Sequence, residues 1–203
     1  MFTGIIEACV PIVAREPVGQ GARLFVAEPS GDWDTALGDS IATSGCCLTV
    51  ARRVAAPDGS ATLVFDLSAE TLERTWFRSA APGRALNLER AARLSDRLGG
   101  HLVSGHVDGL GHVTRIEDRG DGGREMHFEV PAGLERYLIE KGSIAIDGIS
   151  LTVVEPRGRS FRVALIPETL KRTTLGRAAL GDAVHLEADL VGKWIERLLD
   201  ARR

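Results

Sequence analysis

Two adjacent cysteines, Cys46 and Cys47, are the first candidates for chemistry in this sequence. A cysteine thiolate can act as a nucleophile or bind a metal ion, but a metal site needs about four converging ligands. Successive residues of a strand point to opposite faces, and no other cysteine or histidine lies close in the sequence. We therefore expect no metal site, and only one of the two thiols can face a pocket. The alternative is that one or both are small buried hydrophobic residues.

Two histidines, His101 and His106, offer proton-transfer chemistry, since an imidazole titrates near neutral pH. Their spacing of five does not place both side chains on one helix face, which argues against a metalloprotease-type site.

Several hydroxyl residues recur in pairs along the chain, together with a pair of glycines and a pair of glutamates. The pairs are Ser40/Ser143, Thr49/Thr152, Thr71/Thr169, Gly45/Gly148 and Glu70/Glu168. Taken singly, such residues are ordinary strand and turn residues. Duplicated together, they are typical of hydrogen-bond partners in a pocket for a flat polar heterocycle.

These pairs belong to an internal repeat that covers most of the chain. Residues 40–50 and 143–153 are identical at seven of eleven positions. Further matches keep the same order with offsets between 98 and 104, as in residues 2–7 against 103–108 and 70–75 against 168–173. A preserved order with a drifting offset indicates one duplicated domain with loop insertions.

Aligning the two halves of the repeat predicts different surroundings for the two cysteines. Cys46 aligns with Ile149, a core residue type, whereas Cys47 aligns with Ser150. Cys47 is therefore predicted to face the first pocket and Ser150 the second. His106 aligns with Ile5, and a titratable group opposite an aliphatic one favours a functional role. His101 has no counterpart, so a structural role is equally compatible with the sequence.

Short apolar or alternating runs broken by glycine, proline and aspartate predict about six strands per half. We predict an all-β fold of tandem six-stranded antiparallel Greek-key barrels, since closure removes exposed strand edges. The expected division is 1–97 for the first barrel, 98–188 for the second and 189–203 for a C-terminal helix. Short helices are expected at residues 68–72 and 167–170, and a further helix at residues 134–140.

The tail carries an apolar stripe at helical spacing: Val191, Trp194, Ile195, Leu198 and Leu199. No counterpart follows the first half. The stripe either caps the second barrel or forms an oligomer contact, and the pattern alone favours neither.

Composition excludes several classes of function. The net charge of -3 and 5% aromatic residues argue against a nucleic-acid-binding barrel. The N-terminus lacks the basic region of a signal peptide, and no apolar run approaches the ~20 residues of a membrane span. Three cysteines, two of them adjacent, favour a reduced, cytoplasmic protein over a disulfide framework.

Five motifs together resemble riboflavin synthase. They are Met1-Phe2-Thr3-Gly4-Ile5-Ile6-Glu7, Gly45-Cys46-Cys47-Leu48-Thr49-Val50, Gly100-His101-Leu102-Val103-Ser104-Gly105-His106, Asp147-Gly148-Ile149-Ser150-Leu151-Thr152 and Ile166-Pro167-Glu168-Thr169-Leu170. The resemblance implies four-carbon transfer between two molecules of 6,7-dimethyl-8-ribityllumazine, yielding riboflavin and 5-amino-6-(ribitylamino)uracil, with no cofactor or metal. It also implies a homotrimer, an active site between the first barrel of one subunit and the second of its neighbour, and an association with lumazine synthase.

The resemblance also implies the residues of each pocket, carried over motif by motif. The first pocket would comprise Gly4, Ile5, Ile6, Cys47, Leu48, Thr49, Asp66, Leu67, Ser68, Ala69, Glu70 and Thr71. The second would comprise Gly105, His106, Val107, Lys141, Ser150, Leu151, Thr152, Ile166, Pro167, Glu168, Thr169, Leu170 and Lys171. Residues tied to turnover would be Ser40, Cys47, His106 and Asp147.

The chain departs from the family pattern at two places in its first half. Ser44-Gly45 stands where the family usually has Asn-Gly, and Trp76-Phe77-Arg78 stands where it has Asn-Leu-Gly. Both departures are expected to affect the first pocket or the trimer contact. The main alternative function is a non-catalytic lumazine-binding protein of the same fold. Which barrel would hold the donor and which the acceptor is left open.

Overall fold

The first half of the chain forms a closed barrel in a computed structural model, which describes residues 1–31, 33–57 and 59–201. Its strands are β1 (Ala8–Val18), β2 (Gly21–Ala27), β3 (Ser40–Thr43), β4 (Cys46–Ala55), β5 (Ala61–Leu67) and β6 (Ala85–Arg90). The antiparallel order β1-β2-β5-β4-β3-β6 closes where β1 pairs with β6. The predicted six-stranded barrel is confirmed here.

The second half repeats this order with one strand broken in two. Its strands are β7 (Gly109–Asp118), β8 (Arg124–Glu129), β9 (Ser143–Ile146), β10 (Ile149–Thr152), β11 (Val154–Arg157), β12 (Ser160–Leu165) and β13 (Ala183–Ala188). Only Val153 separates β10 from β11, which occupy the two ends of the sheet order β10-β9-β13-β7-β8-β12-β11. Together β10 and β11 correspond to β4, but the strand is interrupted between them, so strand pairing is continuous around the first barrel and broken at Val153 in the second. At the equivalent place β4 has a register shift against β5, between Val50 and Arg52.

Short helices follow the fifth strand of each barrel, as predicted. Helix α1 (Ala69–Arg74) begins after Ser68, whose hydroxyl accepts a hydrogen bond from the Thr71 amide. Helix α2 (Pro167–Arg172) begins with proline, whose missing N–H is tolerated in a first turn. One-turn 3₁₀ helices follow at Trp76–Ser79 and Thr174–Arg177.

The prediction of a helix at residues 134–140 is wrong. Only a single 3₁₀ turn, Glu135–Tyr137, forms there, and Leu138 is already extended. Leu134 and Leu138 instead reach the second barrel's core from irregular chain, and this burial decides the local conformation.

The C-terminal helix α3 (Leu190–Asp200) is present, but its polar face contacts the barrel. Lys193 bonds to Asp108, and Glu196 bonds to Arg136 and Tyr137. The apolar stripe is exposed: Val191 51%, Trp194 66%, Ile195 53%, Leu198 67% and Leu199 58%. The stripe therefore does not cap the second barrel. Arg202 and Arg203 of the expected tail lie outside the described residues, and within the described ranges no helix is long and apolar enough to cross a membrane.

The two barrels meet at the tips of equivalent hairpins. Ser44 and Gly45 join β3 to β4 with φ of 43° and 80°, and Asp147 and Gly148 join β9 to β10 with φ of 45° and 81°. Two consecutive positive φ values are the signature of a two-residue type I′ turn. A Cβ at Gly45 would lie 2.6 Å from the Gly148 amide nitrogen, so glycine is required here for contact as well as conformation.

Candidate active site

Two short segments cross between the barrels and pair with each other. They are residues 2–7, the first crossing segment, and residues 103–108, the second crossing segment. The Phe2 amide donates to the Val103 carbonyl at 2.8 Å, and the Val103 amide donates to the Phe2 carbonyl at 3.1 Å. Both side chains are fully buried, in a cluster with Ala42 of β3 and Ala145 of β9. This cluster therefore lies where the two halves join.

Each crossing segment lies against the barrel of the other half. Ser150 of β10 donates its amide hydrogen to the Gly4 carbonyl at 2.8 Å, and Cys47 of β4 donates to the Gly105 carbonyl at 2.8 Å. A Cβ on Gly4 would lie 2.6 Å from Ser150 Cβ, and one on Gly105 would lie 2.6 Å from Cys47 Cβ. The two glycines therefore permit a backbone approach that any side chain would prevent.

Two buried glutamates hold the crossing segments. Glu89, near the end of β6, accepts hydrogen bonds from the Thr3 amide at 2.6 Å, the Thr3 hydroxyl at 2.7 Å and the Gly4 amide at 3.0 Å. Glu187 of β13 accepts the equivalent bonds from Ser104 and Gly105 at 2.7, 2.7 and 2.9 Å. Burial raises the pKa of Glu89, whereas its bonds from Thr3 and Gly4 lower it. Charge-assisted bonds of this kind are the strong ones in proteins.

These contacts regroup the predicted pocket residues. Ile6 packs against the core of the second barrel, and Val107 belongs to the core of the first. Residues 4–6 therefore lie with Ser150, and residues 105–107 lie with Cys47, which is the reverse of the expected grouping by half. The repeat identifies equivalent residues, but equivalent residues exchange barrels because each crossing segment leaves its own half.

The remaining predicted pocket residues lie on the crossing segments, on β4 and β10, before β9, and from the ends of β5 and β12 into α1 and α2. The exposed ones are Ile5, Thr49, Asp66, Ser68, Glu70, His106, Lys141, Thr152, Ile166, Pro167, Glu168 and Lys171; partly buried are Ala69, Thr71, Ser150, Leu151, Thr169 and Leu170; Leu48 and Leu67 are buried. Asp66 bonds to Arg23 at 2.8 Å. Leu170 and Lys171 border a cleft of about 430 Å³ beside the β7–β8 turn.

Cys46 and Cys47 differ as the alternation of a strand requires. Cys46 is 7% exposed in the core of the first barrel, and burial raises the pKa of its thiol to about 12. Cys47 is half-buried against the cluster of Phe2 and Val103.

Ser40 lies at the rim of a separate cleft of about 770 Å³, which is also lined by Ile5. Ser40 pairs with Thr49 across β3 and β4, so its backbone is one strand away from the Cys47 region.

Asp147 lies in the contact between the barrels rather than in a pocket. Its Oδ1 accepts hydrogen bonds from the Trp76 indole at 3.0 Å and the His185 amide at 2.8 Å. Burial raises the pKa of Asp147 to about 6. The neighbouring His185 imidazole contacts the Ser44 carbonyl at 2.7 Å through Nδ1 and accepts from the Trp76 amide at 3.0 Å through Nε2, and burial lowers its pKa to about 3.

The two departures from the family pattern therefore meet at this contact. Trp76 bonds to Asp147 and stacks on His185 with ring centroids 4.9 Å apart, while Ser44 accepts from His185. Asn87 completes the arrangement by donating to the Asp147 carbonyl at 2.9 Å. Trp76 therefore joins the two halves through its side chain, whereas Ser44 does so through its main-chain carbonyl and its hydroxyl accepts from the Asn87 amide at 3.1 Å.

His101 is tied to the second barrel. Its Nδ1 lies 2.7 Å from the Ser150 hydroxyl, and burial lowers the pKa of the imidazole. Sequence reasoning left His101 undecided and missed Glu89 and Glu187. The signal for the glutamates was present, since Leu88-Glu89 and Leu186-Glu187 recur at the same offset of 98.

One group of side chains in the described ranges brings metal-ligand atoms within 4.8 Å of one another: Glu117, Glu125 and His127. Arg115 pairs with Glu117, and Arg162 pairs with Glu125. Arg162 is shared with Glu155, at 2.7 Å, so the group belongs to a network of ion pairs on β7 and β8.

Comparison with known proteins assigns the chain to a family. A sequence model of the lumazine binding domain matches residues 3–91 and again residues 104–189. Riboflavin synthase of Mycobacterium tuberculosis is 46% identical over 203 residues, covering 98% of each protein.

The chain belongs to the riboflavin synthase family, with two lumazine-binding domains.

Other members are similar over comparable lengths. Riboflavin synthase of Actinobacillus pleuropneumoniae is 43% identical, covering 98% of this chain and 90% of that protein. The enzyme of Chlamydia muridarum is 39% identical, covering 95% and 92%. The fold also matches a crystal structure of LumP complexed with riboflavin, with a TM-score of 0.82 and 24% identity over 93% of this chain and 99% of that one.

Proposed function

We propose that the chain catalyses the dismutation of two 6,7-dimethyl-8-ribityllumazine molecules into riboflavin and 5-amino-6-(D-ribitylamino)uracil. The observation that carries this proposal is the matched pair of barrel ends. Cys47 and Ser150 occupy the same register position on equivalent hairpins, each beside a crossing segment held by a buried glutamate. Two similar pockets suit a reaction between two copies of one compound. The family relatives named riboflavin synthase support the same activity.

Positioning is the main contribution that such a fold can make. Holding two reactants in a reactive orientation can lower a barrier by roughly 7–11 kcal/mol. One copy would donate a four-carbon unit to the other, and we assign binding and proton transfer to the chain's own side chains. We therefore propose that no cofactor or metal is used.

The first proposed pocket combines Cys47, Leu48 and Thr49 with residues 66–71 and the crossing residues 105–107. The second combines residues 150–152 with residues 166–171, Lys141 and the crossing residues 4–6. Residues 1–97 and 98–188 then act as the two ligand-binding units, each completed by a segment of the other.

His106 is the proposed proton-transfer residue. It is exposed on the second crossing segment, one residue after Gly105, whose carbonyl accepts from Cys47. It would help to remove the proton from the 7-methyl group of one ligand. Cys47 or Ser40 would supply or position the nucleophile at the other ring. Asp147 is fully buried between the barrels, and we assign it to the contact between them rather than to turnover.

The proposed assembly is a homotrimer, and the exposed stripe on α3 supports a subunit contact. Five large apolar side chains between 51% and 67% exposed form a patch of the kind that marks a protein contact. We propose that residues 189–203 contribute to the subunit contact, and that the first barrel of one subunit faces the second barrel of its neighbour across two ligands. A cytoplasmic location and an association with lumazine synthase complete the proposal.

Turnover of purified protein with the lumazine tests the function. Chromatography should show two molecules consumed for each riboflavin and each pyrimidine formed, with no added cofactor and with EDTA present. Binding without product formation would instead identify a non-catalytic lumazine-binding protein. His106→Gln should lower turnover while leaving ligand affinity within a few-fold. Unchanged turnover in that variant would contradict the role of His106.

A further inference from the structure

The second crossing segment ends at Asp108, which is held by helix α3. The Asp108 carboxylate accepts a hydrogen bond from the Ala188 amide at 2.8 Å. Lys193 of α3 places its ammonium 2.7 Å from Oδ1 and 2.6 Å from Oδ2 of the same carboxylate. The side chains of Lys193 and Asp108 are only 22% and 25% exposed. A partly buried pair of this kind is less screened than a surface ion pair.

The first crossing segment ends in an equivalent clamp with a different cation. Glu7 aligns with Asp108, and it accepts from the Arg90 amide at 2.7 Å and from Arg90 Nε at 2.9 Å. Residue 188, which aligns with Arg90, is alanine. The second barrel therefore has a backbone donor but no cation at this point of its own strand, and Lys193 supplies the charge from outside the barrel.

His106 lies between two anchors. Glu187 fixes the start of the segment through Ser104 and Gly105. Asp108 fixes its end in two ways, because its amide donates to the Leu186 carbonyl at 2.8 Å and its carboxylate pairs with Lys193. The interval from Gly105 to Asp108 contains only His106 and Val107, and Val107 is buried in the first barrel's core. The direction of the exposed His106 side chain is thus set by how firmly both ends are held.

We propose that Lys193 is a positioning residue for His106, so that α3 forms part of the active-site framework in its own subunit. Without the ammonium, the partly buried Asp108 carboxylate would retain a single donor, the Ala188 amide. The end of the segment, then held by this bond and by the Asp108 amide bond to Leu186, would shift toward solvent to hydrate the carboxylate. The proposal rests on the role of His106 given above for its effect on turnover, but its effect on the position of His106 stands independently.

Full-length Lys193→Met tests this, with Arg197→Met as the matched control. Arg197 is an exposed cation on the same helix, and its replacement removes the same charge without touching Asp108. We expect kcat to fall about tenfold in Lys193→Met, with KM changed less, because small displacements of a reacting group cost rate. Lys193→Arg should restore most of the rate.

Histidine NMR provides a readout that does not depend on turnover. The chain has five histidines, and the signal missing in His106→Gln identifies His106. Its chemical shift should change in Lys193→Met and not in Arg197→Met. The kcat of Asp108→Asn combined with Lys193→Met should be no lower than that of either single variant. A His106 signal unchanged in Lys193→Met would overturn the proposal. It would do so even if kcat falls in that variant together with a change in sedimentation. A changed signal with unchanged turnover would support the positioning and refute the role of His106 in turnover.

Discussion

Replacing Asp147 with asparagine should alter how stability depends on pH. The Asp147 carboxyl is buried between the barrels, and its pKa is raised from 3.8 to about 6. Because the folded state favours the protonated form, this group contributes stability that is complete below pH 3.8 and is lost as pH rises through about 6. Asparagine can still accept the bonds from Trp76 and His185 at its Oδ1, and it does not titrate.

The size of the effect follows from linkage. With these two pKa values, the wild-type protein loses about 1.4 kcal/mol of this contribution between pH 5 and pH 7.5. The free energy of unfolding of Asp147→Asn minus that of wild type should therefore be larger at pH 7.5 than at pH 5 by about 1.4 kcal/mol. His185 has an opposite dependence, since burial lowers its pKa to about 3, but it is common to both proteins and cancels in the difference.

Urea denaturation at fixed protein concentration and both pH values measures this difference. Asp121→Asn is the control, since Asp121 is an exposed carboxylate that accepts one backbone bond from Gly123. Its difference from wild type should be the same at both pH values. An equally flat difference for Asp147→Asn would refute the reasoning, because it would mean that Asp147 is as hydrated in the folded protein as in the unfolded chain.

Three further predictions concern the barrel contact, the cysteines and the clamps. Gly45→Ala should be more destabilising than Gly83→Ala by about 1–3 kcal/mol in thermal unfolding, since both have φ near 80° but only the Cβ at Gly45 meets another chain segment; equal losses would mean that the hairpin tips are not in contact. Iodoacetamide at pH 8 should leave Cys46 unmodified in the folded protein and modify it in urea, as read by peptide mass spectrometry, because burial raises the pKa of its thiol to about 12; rapid labelling without urea would contradict its burial. Glu187→Gln should lower the free energy of unfolding by about 1–3 kcal/mol in urea titration, because the bonds to Ser104 and Gly105 lose their charge; an unchanged midpoint would show that the carboxylate is not needed to hold the segment.

Much of the fold could be predicted because the two halves of the sequence can be aligned with each other. The identity between residues 40–50 and 143–153 predicts equivalent hairpins, and both form with the same register. The helix at residues 134–140 could not be predicted correctly, because the burial of Leu134 and Leu138 against distant strands overrides the local apolar spacing. The break at Val153 also leaves no local signal, since it corresponds to a register shift that is tolerated within β4.

The stripe on α3 shows a similar division. Its period predicts a helix with one apolar face, and the helix is present from Leu190 to Asp200. The period does not state which face meets the barrel. The orientation of α3 is set by its polar face, because Lys193 pairs with Asp108 and Glu196 accepts a hydrogen bond from Tyr137.

From its sequence alone, the chain could be read as a duplicated β-barrel protein of the riboflavin synthase family, with Cys46 in a core and Cys47 and His106 as pocket candidates. Only the tertiary structure decided which barrel each of residues 2–7 and 103–108 contacts, because both segments cross to the opposite barrel and exchange neighbours. It also placed Asp147 in the barrel contact and made Glu89 and Glu187 the anchors. Strand periodicity determines which face a side chain takes, whereas pairing between residues about a hundred positions apart depends on which surfaces the folded halves bring together.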